Sequence, residues 1–126
     1  MHDFPNLFLM MGPNTGLGHN SMIFMIEAQA RYALQAIQAL RNGNLAFLDV
    51  CESVQKEFNQ RVQAKLQRSV WNSGCQSWYL KDGHNSTVWP GFTFQYWFAT
   101  RSLHLADYEP IELPLVLPEE PGIEAA

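Results

Sequence analysis

Gly12-Pro13-Asn14-Thr15-Gly16-Leu17-Gly18-His19-Asn20-Ser21 is the stretch on which the fold of this chain turns. Three glycines, one proline and two asparagines predict a tightly bent loop, since glycine reaches backbone conformations closed to other residues and proline continues neither helix nor ladder. Upstream, Asn6 to Met11 is short, apolar on both faces and stopped by Gly12-Pro13. This predicts a strand covered on both sides, as in a parallel sheet, with a short buried helix as the competing reading. Downstream, a helix is predicted from about Ser21 to Asn42, capped by Asn20 or Ser21. A strand, a glycine turn and a helix N-terminus together make a ready site for an anion or a cofactor. The first-turn amides have no intrahelical acceptor, and glycine lets a ligand approach the backbone. The spacing Gly12-xxx-Gly16-x-Gly18 is neither GxGxxG nor a P-loop, so cofactor contact and plain turn chemistry both stay open.

Along the first helix, Ile23, Ile26, Ala30, Ala33, Ile37 and Leu40 recur at spacings of three and four. Met22, Phe24 and Met25 widen the apolar surface of its first turns almost to the full circumference. Such a helix is expected to be buried. Arg41 suits its C-terminus, and Gly43 supplies the expected left-handed stop. Leu45 to Val50 predicts a short strand or extended link. A second, amphipathic helix is predicted over about Glu52 to Val70, with Val54, Phe58, Val62, Leu66 and Val70 as one narrow stripe. That stripe is expected to pair the two helices antiparallel. Trp71 to Phe98 holds all four tryptophans. Lys81 to Asn85 reads as a turn between two aromatic runs, giving a hairpin or looped cap. Phe92, Phe94, Tyr96 and Phe98 alternate as in a strand, while a short helix after Pro90-Gly91 fits equally. From Pro110 onward, prolines among acidic and aliphatic residues predict an extended or disordered tail.

The chain has 126 residues, a net charge of −4, 47% hydrophobic residues and 16% charged ones. Whole-chain disorder is excluded by that hydrophobicity, because disorder goes with low hydrophobicity and high charge. Asp107, Glu109, Glu112, Glu119, Glu120 and Glu124 place half of the twelve acidic residues in the last twenty positions, where no basic residue occurs. The body is therefore slightly basic, but without the basic run that neutralises phosphates, so nucleic acid binding is not expected. The longest strongly apolar run, Met22 to Ile26, is too short to span a bilayer. Residues 1–20 do not read as a secretory signal. Cys51 and Cys75 form no CxxC motif and fit a reducing compartment, with one disulfide left open. A cytoplasmic protein is the expectation. His2, His19, His84 and His104 share no metal-ligand spacing with one another or with either cysteine, so no metal site is expected. Neither a nucleophile elbow nor a paired-carboxylate site is evident, and no catalytic residue is assigned.

Phe4-Pro5-Asn6-Leu7-Phe8, then Gly12 to Ser21, then Glu27-Ala28-Gln29, resemble the C-terminal part of class B flavin-dependent monooxygenases. The Baeyer–Villiger monooxygenases and the flavin-containing monooxygenases are the branches in view. The likeness continues through Val70-Trp71, Ser77-Trp78-Tyr79 and Asn85 to Thr93, as far as Tyr108. It implies an α/β, predominantly helical fragment. Its parts are the last strand and long helix of an FAD-binding Rossmann-like domain, a second amphipathic helix, an aromatic-rich loop region and an irregular tail. Residues 1–108 are then an incomplete FAD-binding domain and 109–126 an acidic, proline-rich tail. The resemblance places Asn14, Thr15, Gly16, Leu17, Gly18, His19, Asn20 and Ser21 beside the flavin. It matches Trp78 to the tryptophan of a mobile loop that closes over the nicotinamide; a core tryptophan is the plain alternative. It makes 92–101 a helix and puts Trp89 to Trp97 on the substrate side.

Intact members use FAD and NADPH to oxygenate ketones or soft heteroatoms through a peroxyflavin. This chain has no GxGxxG, and it lacks the F-x-G-x-x-x-H-x-x-x-W-P fingerprint. His84 and Trp89-Pro90 imitate the end of that fingerprint with four intervening residues in place of three. The expectation is a C-terminal fragment or split piece that is inactive alone and binds neither cofactor by itself. Its partner would be the missing N-terminal FAD/NADPH-binding part. The alternative is a non-enzymatic module that self-associates, or binds a partner, through the apolar helix.

Overall fold

A computed structural model describes residues 1–16, 21–69, 80–81 and 84–112. Helix α1 runs Met22–Gly43, strand β1 Leu45–Val50 and helix α2 Glu52–Gln67. Strands β2, Leu80–Lys81, and β3, His84–Asn85, pair antiparallel as a minimal hairpin, in agreement with the turn read at 81–85. Helix α3 covers Thr93–Thr100, a 3-10 turn covers Leu105–Asp107, and strand β4 covers Tyr108–Glu112. β4 returns antiparallel to β1, with Val50 opposite Tyr108 and Leu48 opposite Pro110, and the register shifts between Leu45 and Phe47. Proline fits β4 because a two-stranded sheet leaves each strand one free edge.

The ends of α1 follow from local chemistry. The Ser21 hydroxyl accepts from the Phe24 amide at 3.4 Å, satisfying one orphan donor. At the other end, Gly43 stays helical and Asn44 takes the left-handed conformation at φ 51°, its amide bonding the Leu40 carbonyl. Asparagine is the non-glycine residue that tolerates this region best, so the stop lies one residue beyond the glycine that predicted it. Asn44 and Cys51 are then single-residue links that hold α1, β1 and α2 in close succession.

The core is small: Met25 and Ala28 of α1, Val62 and Leu66 of α2, and Val88, Trp89 and Tyr96. α1 packs on α3 and β1, while α2 reaches the core chiefly through Val62 and Leu66. Phe58 of the expected stripe is exposed and Val54 half-buried. The helices therefore share a core at one end of α2 and are not zipped together along the stripe. Val70 lies outside the described residues.

Two further expectations meet a different outcome, and one open reading is decided. Residues 7–11 form no strand; Leu7, Leu9 and Met10 are exposed, because no neighbouring strand among the described residues offers a ladder. The aromatic run at 92–98, open between strand and helix, is a helix over Thr93–Thr100, as the resemblance implies. Tyr96 turns inward while Phe92, Phe94 and Phe98 face out, and the Gln95 side chain accepts from the Phe92 amide at 3.2 Å to start the helix. Most consequentially, α1 is not buried all round. Its inward face is Met25, Ala28, Gln29 and Ala36. Within the six-residue stripe read from the sequence, Ile23, Ile26, Ala30 and Ile37 are exposed, and Ala33 and Leu40 half-buried.

The residue pattern thus yields a direct test. Met25 is 0% exposed and Leu66 1%, whereas Ile23 is 68% exposed. Met25→Ala and Leu66→Ala are each expected to lower stability in urea unfolding by about 2–5 kcal/mol. Ile23→Ala in the isolated chain is expected to change it by no more than about 0.5 kcal/mol.

Candidate functional site

The glycine loop is folded by contacts with a segment some seventy residues away. Asn14, buried and at φ 56°, donates from its side-chain amide to the carbonyls of Asn85 at 2.7 Å and Val88 at 3.2 Å. Its backbone amide bonds the Ser86 carbonyl at 2.8 Å. Gly16 and Val88 form a parallel bridge in which the Gly16 amide meets Thr87 O, and the Trp89 amide meets Gly16 O, both at 2.8 Å. A Cβ on Gly16 would stand 2.8 Å from the Thr87 carbonyl oxygen, so glycine is required by close backbone approach. The Thr15 hydroxyl turns back to the Gly12 carbonyl.

The facing segment is braced in turn. The Asn85 side-chain oxygen accepts from the amides of Thr87 at 3.1 Å and Val88 at 3.0 Å. Gln63 of α2 donates to the Asn85 carbonyl at 3.0 Å. Behind the loop, buried Gln29 accepts from the Met11 amide at 2.8 Å and donates to the Tyr96 hydroxyl at 3.1 Å. Trp89 meets Tyr96 edge to face, with centroids 5.1 Å apart. Asn85 and Gln29 carry this scaffold. The only sequence signal for Gln29 is an amide on a face otherwise made of Met25, Ala28 and Ala36.

The positions singled out from the sequence therefore divide. Asn14, Thr15 and Gly16 have internal partners and shape the loop. Ser21 caps α1 and is exposed together with Met22, Ile23 and Phe24. Leu17, Gly18, His19, Asn20 and Trp78 lie outside the described residues. The start of α1 thus presents first-turn amides at an open surface, which fits an electronegative group.

A cleft of about 620 Å³ lies between the N-terminal segment, β1, α2 and α3. Phe8, Leu48, Phe58, Trp89 and Tyr96 give it an apolar wall. At its side Tyr32 and Tyr108 share a hydroxyl–hydroxyl bond of 2.9 Å. Burial first, and then the bond to Tyr108, push the Tyr32 phenol well above its ordinary value. Burial raises Tyr108 too, against the lowering effect of the same bond, and raises Tyr96 against the bond from Gln29. Near the chain start, His2, Asp3 and Asp49 come within 4.8 Å of one another. The His2 ring nitrogen Nδ1 lies 3.2 Å from the Val50 carbonyl and the Asp3 amide donates to Asp49, contacts that fasten the N-terminus to β1.

A Baeyer-Villiger monooxygenase of Pseudomonas aeruginosa is 49% identical over 115 residues, which is 89% of this chain and 22% of the relative. One of Streptomyces coelicolor is 42% identical over 126 residues, 98% of this chain and 24% of the relative. The chain is similar to one segment of Baeyer-Villiger monooxygenases. An FAD-binding monooxygenase of Aspergillus niger is 37% identical over 114 residues, 86% of this chain and 19% of the relative. The chain spans about a fifth to a quarter of the length of the curated relatives it matches. No protein-family profile matches it, and no solved structure gives a significant match. Among the described residues, no helix is long and apolar enough to cross a membrane.

Two measurements probe this geometry. Asn14→Ala removes both side-chain bonds and places a Cβ residue with no polar side chain at positive φ; it is expected to cost about 2–4 kcal/mol in chemical unfolding. Asn14→Gly, which relieves the backbone alone, should recover part of that loss. The three raised phenols set a pH dependence. Unfolded tyrosines ionise near pH 10, below the folded values, so their contribution is whole below about pH 10 and declines as pH rises above it. Unfolding curves from about pH 8 to 11 should show that decline, and Tyr32→Phe with Tyr108→Phe should flatten it.

Proposed function

We propose that this chain forms the flavin-side wall of an FAD- and NADPH-dependent monooxygenase, equivalent to the C-terminal portion of its FAD-binding domain. The observation that carries the reading is identity of 42–49% over 89–98% of the chain, against relatives four to five times its length. In this reading residues 7–11 pair as a strand with a sheet in the rest of the polypeptide, which accounts for the exposure of Leu7, Leu9 and Met10 and for the amides of residues 8–10 having no partner among the described residues. FAD is held against Gly16 to Ser21 and the start of α1. Bound there and reduced by NADPH, FAD supplies the oxygen-activating chemistry that turns a ketone into an ester or oxidises a soft heteroatom.

The chain's own residues position and polarise. The amides of Met22 and Ile23 at the head of α1 favour negative charge on the flavin ring. Asn14 and Gly16, locked to Asn85–Trp89, keep that head at a fixed distance from the aromatic wall. Leu17, Gly18, His19 and Asn20 would hold FAD together with Ser21, and Trp78 would close over NADPH. Trp89 and Tyr96 back the substrate side and exclude water. Held alone, the chain supplies one wall of the cofactor site and is inactive.

Substitution of the matched segment of the Pseudomonas relative by this chain is the test. The hybrid is expected to purify yellow and to oxidise NADPH, with Asn14→Ala lowering flavin occupancy. A colourless, soluble hybrid would refute the reading. The isolated chain is expected to retain no flavin after desalting from micromolar FAD; stoichiometric retention would show that it is a complete flavoprotein on its own.

A further inference from the structure

The outward face of α1 is more regular than its buried face. Ile23, Ile26, Ala30, Leu34 and Ile37 step along the helix by three, four, four and three residues. At 3.6 residues per turn they fall within roughly an 80° arc, on the side away from Met25 and Ala36. All five are exposed, Leu34 at 52% and Ile37 at 50%. The arc contains no charge until Arg41 in the last turn. Its centre is alanine, flanked by branched aliphatics, the relief that lets another backbone approach closely. A face of this kind left open is an interaction surface or an aggregation hazard.

Resting on the reading above, we infer that this stripe is the seat on which the remaining polypeptide of the monooxygenase docks, through an apolar helix or sheet face of its own. Two observations choose that occupant over a second copy of the chain. These relatives carry more than three quarters of their length beyond the matched segment, enough polypeptide to supply a covering surface. Open apolar surface is not confined to the stripe. Leu7, Leu9 and Met10 are exposed on the segment whose end, Met11, is fastened to α1 by Gln29. Phe8, Leu9 and Met10 offer backbone amides with no partner among the described residues. A surface that takes both an apolar helix face and strand hydrogen bonds suits a mixed helix–sheet domain better than another α1. α1 then has two packing roles on opposite sides: Met25, Ala28 and Ala36 hold α3 and the aromatic wall, and Ile23 to Ile37 hold the rest of the enzyme. The single helix whose N-terminus meets the flavin would then be fixed from both directions.

The experiment uses the hybrid enzyme described above. Leu34→Asp with Ile37→Asp is introduced, and the flavin-to-protein ratio of the soluble fraction is measured. The ratio is expected to fall at least about tenfold, since two carboxylates are forced into an apolar contact without partners. Gln60→Asp on the exposed face of α2 should leave it unchanged. In the isolated chain the same pair of substitutions should preserve helicity by circular dichroism and reduce binding of an apolar-surface dye, because both positions are open there. A hybrid that keeps its flavin with both aspartates present overturns the inference while leaving the family reading intact. A hybrid that fails before any substitution overturns that reading, and this inference with it. Sedimentation of the isolated chain as a stable dimer that the two aspartates disperse assigns the stripe to a second copy and also overturns it.

Discussion

The Asn14 amide donates to two carbonyls, of Asn85 and of Val88, and most of the arrangement hangs from that fork. Asn14 reaches them because its backbone occupies the left-handed region at φ 56°, where asparagine is tolerated and most side chains are not. The bond to Ser86 and the Gly16–Val88 bridge then follow in register. The fork joins three backbone bonds between the loop and the segment before α3, from Asn14 to Ser86, Gly16 to Thr87 and Trp89 to Gly16. Together they fix the loop against the segment that carries Trp89. The asparagine therefore contributes architecture, and the ligand chemistry proposed for the loop falls to its backbone and to the helix that follows.

The elements legible in the sequence were those specified by short-range patterns. The limits of α1, β1 and α2 follow from apolar spacing and from capping residues within a few positions of each end. The turn at 81–85 announced itself by composition. Other features were set at long range. The aromatics at 92–98 fitted a strand and a short helix equally by pattern; among the described residues no strand lies beside them, and an eight-residue helix buries Tyr96. Asn44 took the left-handed position because it, and not Gly43, stood where the last turn closed against Leu40.

The stripe on α1 is the more instructive case. The periodicity was real, but periodicity identifies a face and not its occupant. The buried face, Met25, Ala28, Gln29 and Ala36, contains a glutamine and two alanines and scores poorly as a core by hydrophobicity alone. It is buried because Gln29 finds both Met11 and Tyr96. For the candidate site, the loop could be located from glycine and asparagine content, but its folding partner could not. The Asn14–Asn85 pairing has no signature in spacing, since each asparagine looks locally like an ordinary turn residue.

The same fork carries a kinetic implication. Its bonds join residues 71 and 74 positions apart. Closing a flexible loop of that size costs on the order of 4 kcal/mol of chain entropy, beyond the constant for any closure. The contacts of α1 with β1 are separated by far fewer residues and form without that cost. The loop is therefore a late element: α1 and β1 meet as near neighbours, and the glycine loop acquires its shape only when the distant segment arrives. A chain interrupted before Trp89 lacks the partners of the loop, which makes the shape of the loop a reporter on the completeness of everything between.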